Sequence, residues 1–163
     1  GTGEYFQKAN DQVMEAIRQG INYFDTAYVY KNNEKVLGRI LAENKCRDQI
    51  YIATKLPQYM VRSIAQAEKI FNQELELLQT DHVDYYLMHM LNDVASWERL
   101  KAIGIESWIR EKMDSGKIRN IGFSYHGNTE NFKPVVDASI TIWMKIFRQE
   151  KKVFCMRQKK IFQ

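Results

Sequence analysis

Four short runs of β-branched and aromatic residues, "INYFD", "IYIAT", "VDYYLMH" and "IRNIGFS", recur along the chain with segments of helical period between them. Each run brings a polar side chain to its carboxyl end: Asp25, Lys55, His89 and Ser124, at intervals of 30, 34 and 35 residues. A strand–helix–strand crossover takes roughly 30 residues or more, so one polar group is delivered per unit. Such alternation demands parallel strands joined by right-handed crossovers, which is an α/β fold. In parallel barrels and open doubly wound sheets the carboxyl ends of the strands share one rim, and chemistry sits there. The spacing therefore predicts that these four side chains converge.

The helical segments are read from their apolar period. Val13, Ala16 and Ile17 predict a first helix over 11–19, with Asn10 or Asp11 placed to cap it and Gly20 to end it. Val36, Leu37, Ile40 and Leu41 mark a second. Ser63 with Gln66 reads as a capping box ahead of the stripe Ile64, Ala67, Phe71, Leu75 and Leu78. Trp97, Leu100, Trp108, Ile109 and Met113 predict a longer helical region, interrupted near Gly104 and closed by Gly116. A last helix is expected from about Thr129, with Pro134 near the limit of what a first turn tolerates.

The chain has 163 residues, 45% of them apolar, which suits one core. Cys46 and Cys155 stand alone without ligand spacing, so neither a disulfide framework nor a metal site is expected, and a cytoplasmic, reducing setting fits best. No run of about 18 apolar residues exists, and "GTGEYFQKAN" lacks the pattern of a signal peptide, so no membrane span is expected. Charge is uneven. Residues 138–163 carry seven basic residues against Glu150 alone, whereas residues 1–137 carry a net −2. The basic balance is thus no argument that the body binds nucleic acid. Trp143, Ile146, Phe147, Phe154 and Ile161, interspersed with Lys and Arg, fit either a basic amphipathic helix for anionic lipid or nucleic acid, or a cover over an apolar edge.

Tyr30 lies five residues past Asp25, in the loop "TAYVYKNN" above the sheet. A free phenol gives up its proton near neutrality only where a cation stabilises the phenolate. Lys55 is placed to supply that field, and Asp25 to hold Lys55. A neutral His89 can donate one hydrogen bond to a substrate oxygen and stabilise the charge that develops on it. The set suits carbonyl reduction. His82, seven residues before His89, faces the other side of the strand by period two and reads as structural. Tyr85, Tyr86 and the three Trp have nothing basic interleaved with them and read as packing.

The segments "GINYFDTAYVY", "ATKLP", "DYYLMHML" and "GKIRNIGFSYHG" resemble the successive signatures of the aldo-keto reductases, from about Asp11 to Asp137. The likeness is strongest to the bacterial branch whose full-length members often add a ferredoxin-like iron–sulfur segment, although no iron–sulfur spacing is present here. The resemblance implies a partial (β/α)8 barrel of about four to five βα units, missing the first strand and the C-terminal half. Residues 1–137 would form the partial barrel, and residues 138–163 a basic tail outside the family pattern. It implies Tyr30 as general acid, tuned by Lys55 and Asp25, His89 as the group that positions the carbonyl of a small substrate, and NADPH as hydride source. The family binds that cofactor without a Gly-rich Rossmann turn, and no G-x-G-x-x-G occurs in this chain. Ser124 resembles the serine that contacts the nicotinamide carboxamide. The asparagine commonly next to it is Tyr125 here, and His126 is taken as its substitute.

A complete barrel of this kind takes about 250 residues. The expectation is therefore a chain truncated at both ends, with the gene or reading frame ending abnormally near Asp137 and NADPH binding weak or lost. An incomplete barrel leaves unpaired strand edges and apolar surface, so self-association into a homo-oligomer is expected. The two outcomes are an NADPH-dependent oxidoreductase and a catalytically inactive, self-associating barrel fragment.

Overall fold

The computed structural model describes residues 2–147. In chain order it contains α1 (Thr2–Arg18), β1 (Tyr23–Asp25), α2 (Asn33–Asn44), β2 (Tyr51–Leu56), α3 (Ile64–Leu78), β3 (Val83–Met88), α4 (Val94–Ala102), α5 (Ile105–Asp114), β4 (Ile118–Phe123) and α6 (Thr129–Phe147). The strands form one parallel sheet in the order β1-β2-β3-β4, each joined to the next by a helical crossover. This is an arc of four βα units preceded by a helix. The register sets Asp25 beside Ala53, Ala53 beside Tyr85 and Tyr85 beside Asn120, so all four strands run level toward the same rim.

The first helix differs from the sequence reading. It starts at Thr2, and Asn10 and Asp11 lie inside it rather than capping it. Glu4, Gln7, Lys8 and Ala9 suit a helix interior, and Gln7 Nε2 donates to Asp11 Oδ1 at 2.8 Å, one turn on. Two contacts anchor the added turns to α2: the Arg39 guanidinium lies 3.7 Å from the Phe6 ring centroid, and Asn44 Nδ2 donates to Asn10 Oδ1 at 2.8 Å. At α3, Ser63 Oγ accepts from the Gln66 N–H as expected, but Gln66 Oε1 accepts from the Arg62 N–H rather than closing the box on Ser63. Pro134 is accepted within α6, beyond the first turn, where its missing N–H would have served the carbonyl of exposed Glu130. Cys155 and the tail residues 148–163, with Phe154 and Ile161, lie outside the described residues, as do the side chains of Trp143, Ile146 and Phe147.

Side chains alternate across the sheet. Ile52, Leu56, Tyr86, Met88 and Ile121 face the helices, where they are buried with Leu41, Phe71, Leu78 and Trp108. The Phe71 ring packs edge-on against Tyr86 and Trp108, with centroids 4.9 and 5.6 Å away. Burying such rings contributes roughly 1.5–3 kcal/mol each, and the packing reading of Tyr86, Trp97 and Trp108 agrees with their burial. Tyr85 looks out of the opposite face, edge-on to Tyr23 and Tyr51 at 5.4 and 6.5 Å. Helices α2 and α3 meet at Gly38, where a Cβ would fall 2.6 Å from the Leu78 carbonyl carbon. Only glycine admits that approach.

The amino-terminal rim is tied by buried Asp84, which accepts from the Ile52 N–H, Arg47 and Arg119, all at 2.9 Å. His82 sits just before β3, with Nδ1 2.6 Å from Asp81, and is part of this lower rim.

A second buried polar group lies on the helix side of β2. Thr54 Oγ1 is 2.6 Å from Glu34 Oε1 and 2.9 Å from Glu74 Oε1, while the Tyr86 hydroxyl donates to Glu74 Oε2 at 2.6 Å. A hydroxyl has one hydrogen, so both contacts are hydrogen bonds only if one carboxyl is protonated. Burial pushes Glu34 up to about 7, against the pull of Thr54 and the Lys55 charge; burial and the charge of Glu34 push Glu74 well above the usual carboxylate range, against the hydrogen bonds from Tyr86 and Thr54. A carboxyl whose folded pKa is raised holds its proton in the folded state after the unfolded chain has lost it. Stability from this pair is therefore present below the ordinary value of 4.5 and lost as pH rises through about 7. Glu34→Gln keeps a donor toward Thr54 without a titrating proton. Urea unfolding between pH 5 and 8 is expected to show a pH dependence reduced by up to ~1.4 kcal/mol per pH unit in this variant. Comparing the variant with the parent removes the opposing contribution of His89, whose pKa is lowered. An unchanged slope would refute the shared proton.

Candidate functional site

Asp25 and Lys55 lie at the ends of β1 and β2, and β1, β3 and β4 are each prolonged past the carboxyl end by one backbone bond to a neighbouring strand. The Thr26 N–H donates to Ala53 O at 2.8 Å, the His89 N–H to Leu56 O at 2.9 Å and the Ser124 N–H to Met88 O at 3.1 Å. Asp25, Lys55, His89 and Ser124 thus arrive at one rim, as their spacing predicts. Tyr30 is brought over that rim by a tight loop, in which the Tyr30 N–H donates to Ala27 O at 2.9 Å and the Asn33 N–H to Tyr30 O at 3.0 Å.

Lys55 stands at the centre. It is 5% exposed, and its ammonium contacts the Asp25 carboxylate and donates to Thr26 O at 2.6 Å. The same nitrogen lies 5.0 Å from the Tyr30 ring centroid. The Tyr30 and His89 rings meet edge-on with centroids 6.0 Å apart. Tyr30 is 43% exposed, so its phenol is open to a ligand while its surroundings are built from within. His89 is buried, and burial lowers its pKa, as do the Lys55 charge and the neighbouring His126, against the pull of Asp25. The ring is therefore a neutral imidazole at neutral pH, with Nδ1 buried and without a hydrogen-bond partner among the described residues.

Ser124 and His126 join the same rim. Ser124 Oγ accepts from the Met90 N–H at 2.9 Å. The His126 ring centroid lies 6.4 Å from that of His89, and its backbone N–H donates to Asn92 Oδ1 at 2.8 Å. Tyr125, between them, turns away: its ring packs edge-on against Phe132 of α6 at 5.1 Å, and its hydroxyl donates to Asn128 O.

Several neighbours of this rim carry no motif in the sequence. The Tyr59 ring sits 6.5 Å from His89 and is exposed, as are Met60 and Met90. Tyr59 and Met90 border the polar centre, an arrangement that suits an organic ligand carrying one polar atom. The available signal was position: Tyr59 follows the end of β2 by three residues and Met90 follows His89 directly. Among the described residues no cluster of three or more His, Cys, Asp or Glu could hold a metal ion, and no helix is long and apolar enough to cross a membrane.

The geometry can be set beside known proteins. The Aldo/keto reductase family profile matches residues 3–161, a range that runs on beyond Asp137. The chain is 31% identical over 123 residues to aldo-keto reductase YhdN of Bacillus subtilis, an alignment covering 70% of this chain and 36% of the relative. It is 29% identical to the glyoxal reductase of the same organism, covering 93% of this chain and 55% of that protein. Among solved structures, an aldo/keto reductase from Brucella melitensis superposes with a TM-score of 0.61 at 26% identity, over 80% of this chain and 49% of that one. An aldo-keto reductase from Klebsiella pneumoniae, solved in complex with NADPH, gives 0.60 at 25% identity, over 78% of this chain and 42% of its own. The chain thus spans about half, or less, of the length of these relatives. A profile match across nearly its whole length, joined to a parallel βα arc of the same fold, makes this chain a member of the aldo/keto reductase family.

Proposed function

We propose that the rim formed by Asp25, Tyr30, Lys55 and His89 reduces the carbonyl group of a small molecule in the cytoplasm, with NADPH as reductant. The observation that carries this reading is the contact of Lys55 with Asp25, with the Lys55 ammonium 5.0 Å from the Tyr30 ring centroid and the His89 ring edge-on to Tyr30 at 6.0 Å. An ammonium beside a phenol favours release of the phenolic proton. Tyr30 gives that proton to the carbonyl oxygen, and neutral His89 donates a hydrogen bond to the same oxygen, orienting it and stabilising its developing charge. Asp25 and the Thr26 carbonyl hold the ammonium in place.

The chain's residues fit the nicotinamide end of the cofactor. Ser124 Oγ accepts the Met90 N–H, and its own hydrogen has no acceptor among the described residues, which suits donation to a carboxamide oxygen. His126 borders the same place. When bound, the reduced nicotinamide supplies hydride to the carbonyl carbon. The Klebsiella pneumoniae neighbour in complex with NADPH supports the choice of cofactor. Cys46, a buried free thiol whose pKa is raised by burial, supports a reducing compartment.

A second reading, a catalytically silent and self-associating arc, is favoured by one observation. Among the described residues β1 and β4 each have a single strand neighbour, and Tyr51 on the uncovered face is 47% exposed. Open edges and apolar faces are normally paired or covered. Size-exclusion chromatography with light scattering is expected to find a homo-oligomer; a monomer at all concentrations would remove self-association from the account. Titrating NADPH while following its fluorescence separates the two readings. The reductase reading predicts saturable binding. It also predicts turnover with a small aldehyde that Tyr30→Phe lowers by about 100-fold or more with cofactor affinity nearly unchanged. A flat titration supports the silent arc, and retained turnover in Tyr30→Phe refutes the acid assignment.

A further inference from the structure

His89 and Ser124 are linked through one residue in a sparse backbone state. Met90, directly after His89, has φ 55. The left-handed region is uncommon for residues other than Gly, Asn and Asp, and such a conformation persists only where the surroundings hold it. Burial of the side chain does not hold it, since Met90 is 38% exposed. Its backbone is held instead. The Met90 N–H donates to Ser124 Oγ at 2.9 Å, and the Met90 carbonyl accepts from Gln58 Nε2 at 3.1 Å.

Gln58 is itself fixed. It is 3% exposed, in the turn after β2. An Arg99 Nη donates to Gln58 Oε1 at 2.5 Å and to Gln58 O at 2.8 Å, and the other Nη donates to Val61 O at 2.7 Å. A guanidinium carries donors alone, so it accepts only the oxygen end of the Gln58 amide and turns the nitrogen toward Met90. The residues on either side of Met90 are tied by backbone bonds, His89 N–H to Leu56 O and Leu91 N–H to Ser124 O, both at 2.9 Å. Rotating the Met90 peptide would therefore carry the His89 ring and the Ser124 hydroxyl with it.

We propose that Gln58, oriented by Arg99, is a positioning residue for the reaction rim: it holds Met90 in its left-handed turn and so aims His89 and Ser124. This rests on the assignment of His89 and Ser124 to that rim. Neither Gln58 nor Arg99 touches the reacting atoms in this account. They act through the Met90 peptide, from a helix and a turn on which the family-like signatures place no chemistry.

The test reads His89 directly, by NMR of protein labelled with 13C-histidine, so its outcome is independent of turnover. Gln58→Glu keeps a partner for Arg99 and removes the donor to Met90. The expected result is a folded protein whose His89 ring resonances shift or broaden. If the chain turns over substrate, kcat falls by about tenfold or more. Met90→Gly supplies a residue that adopts positive φ without strain, so adding Gln58→Glu to it should disturb His89 much less than in the parent. Undisturbed His89 resonances in Gln58→Glu, or an equal disturbance in both backgrounds, would overturn the proposal. If Gln58→Glu alone does not fold, the proposal requires the double variant to fold; failure of both would show that Gln58 serves packing through Arg99 and would likewise overturn it.

Discussion

The Lys55 ammonium is the group on which the rim depends. A buried charge is costly unless it is paired and hydrogen-bonded, and Lys55 meets that requirement with the Asp25 carboxylate and the Thr26 carbonyl at the end of β1. Meeting it draws the carboxyl ends of β1 and β2 together and leaves a positive charge beneath Tyr30 and beside His89. One interaction thus has a structural and a chemical consequence. It closes the top of the first strand pair, and in the proposed reaction it sets the field in which a phenol and an imidazole work.

The remainder of the sheet divides its labour by face and by end. On β2 the pleat sends Thr54 outward to Glu34 and Glu74 and Lys55 inward to the rim, so acidic and basic groups stand on opposite sides of one strand. At the lower end, Asp84 gathers Arg47, Arg119 and the Ile52 amide, a set wholly concerned with holding strands in register. At the upper end, single backbone bonds at Thr26, His89 and Ser124 carry the ladder one residue beyond β1, β3 and β4. In parallel βα folds stability groups collect at the amino-terminal face and chemistry at the carboxyl-terminal face; the proposed site of this arc follows the same division.

Much of this was legible before any coordinates. Strand and helix periods, together with the regular recurrence of a polar residue after each strand, are local signals, and they located four strands and the convergence of Asp25, Lys55, His89 and Ser124. What escaped was non-local. Glu34 and Glu74 look like the solvent face of two helices, and only packing of α2 and α3 on β2 buries them. Gln58 and Arg99 are 41 residues apart and meet only in the folded chain. The left-handed residues Lys45 and Gln79 end α2 and α3 without the glycine that usually marks such a terminus, and Asn10 resembles a cap in sequence because its anchoring to Asn44 of α2 is a tertiary contact.

The central claim is that Tyr30, Lys55 and His89 form a working proton-donating centre for carbonyl reduction. The most direct measurement supplies NADPH deuterated at the transferable C4 position with a small aldehyde and follows the label by mass spectrometry. The account predicts deuterium on the carbinol carbon of the alcohol product, in proportion to NADPH consumed. Alcohol formed without the label, or no alcohol from folded protein saturated with NADPH, would contradict it.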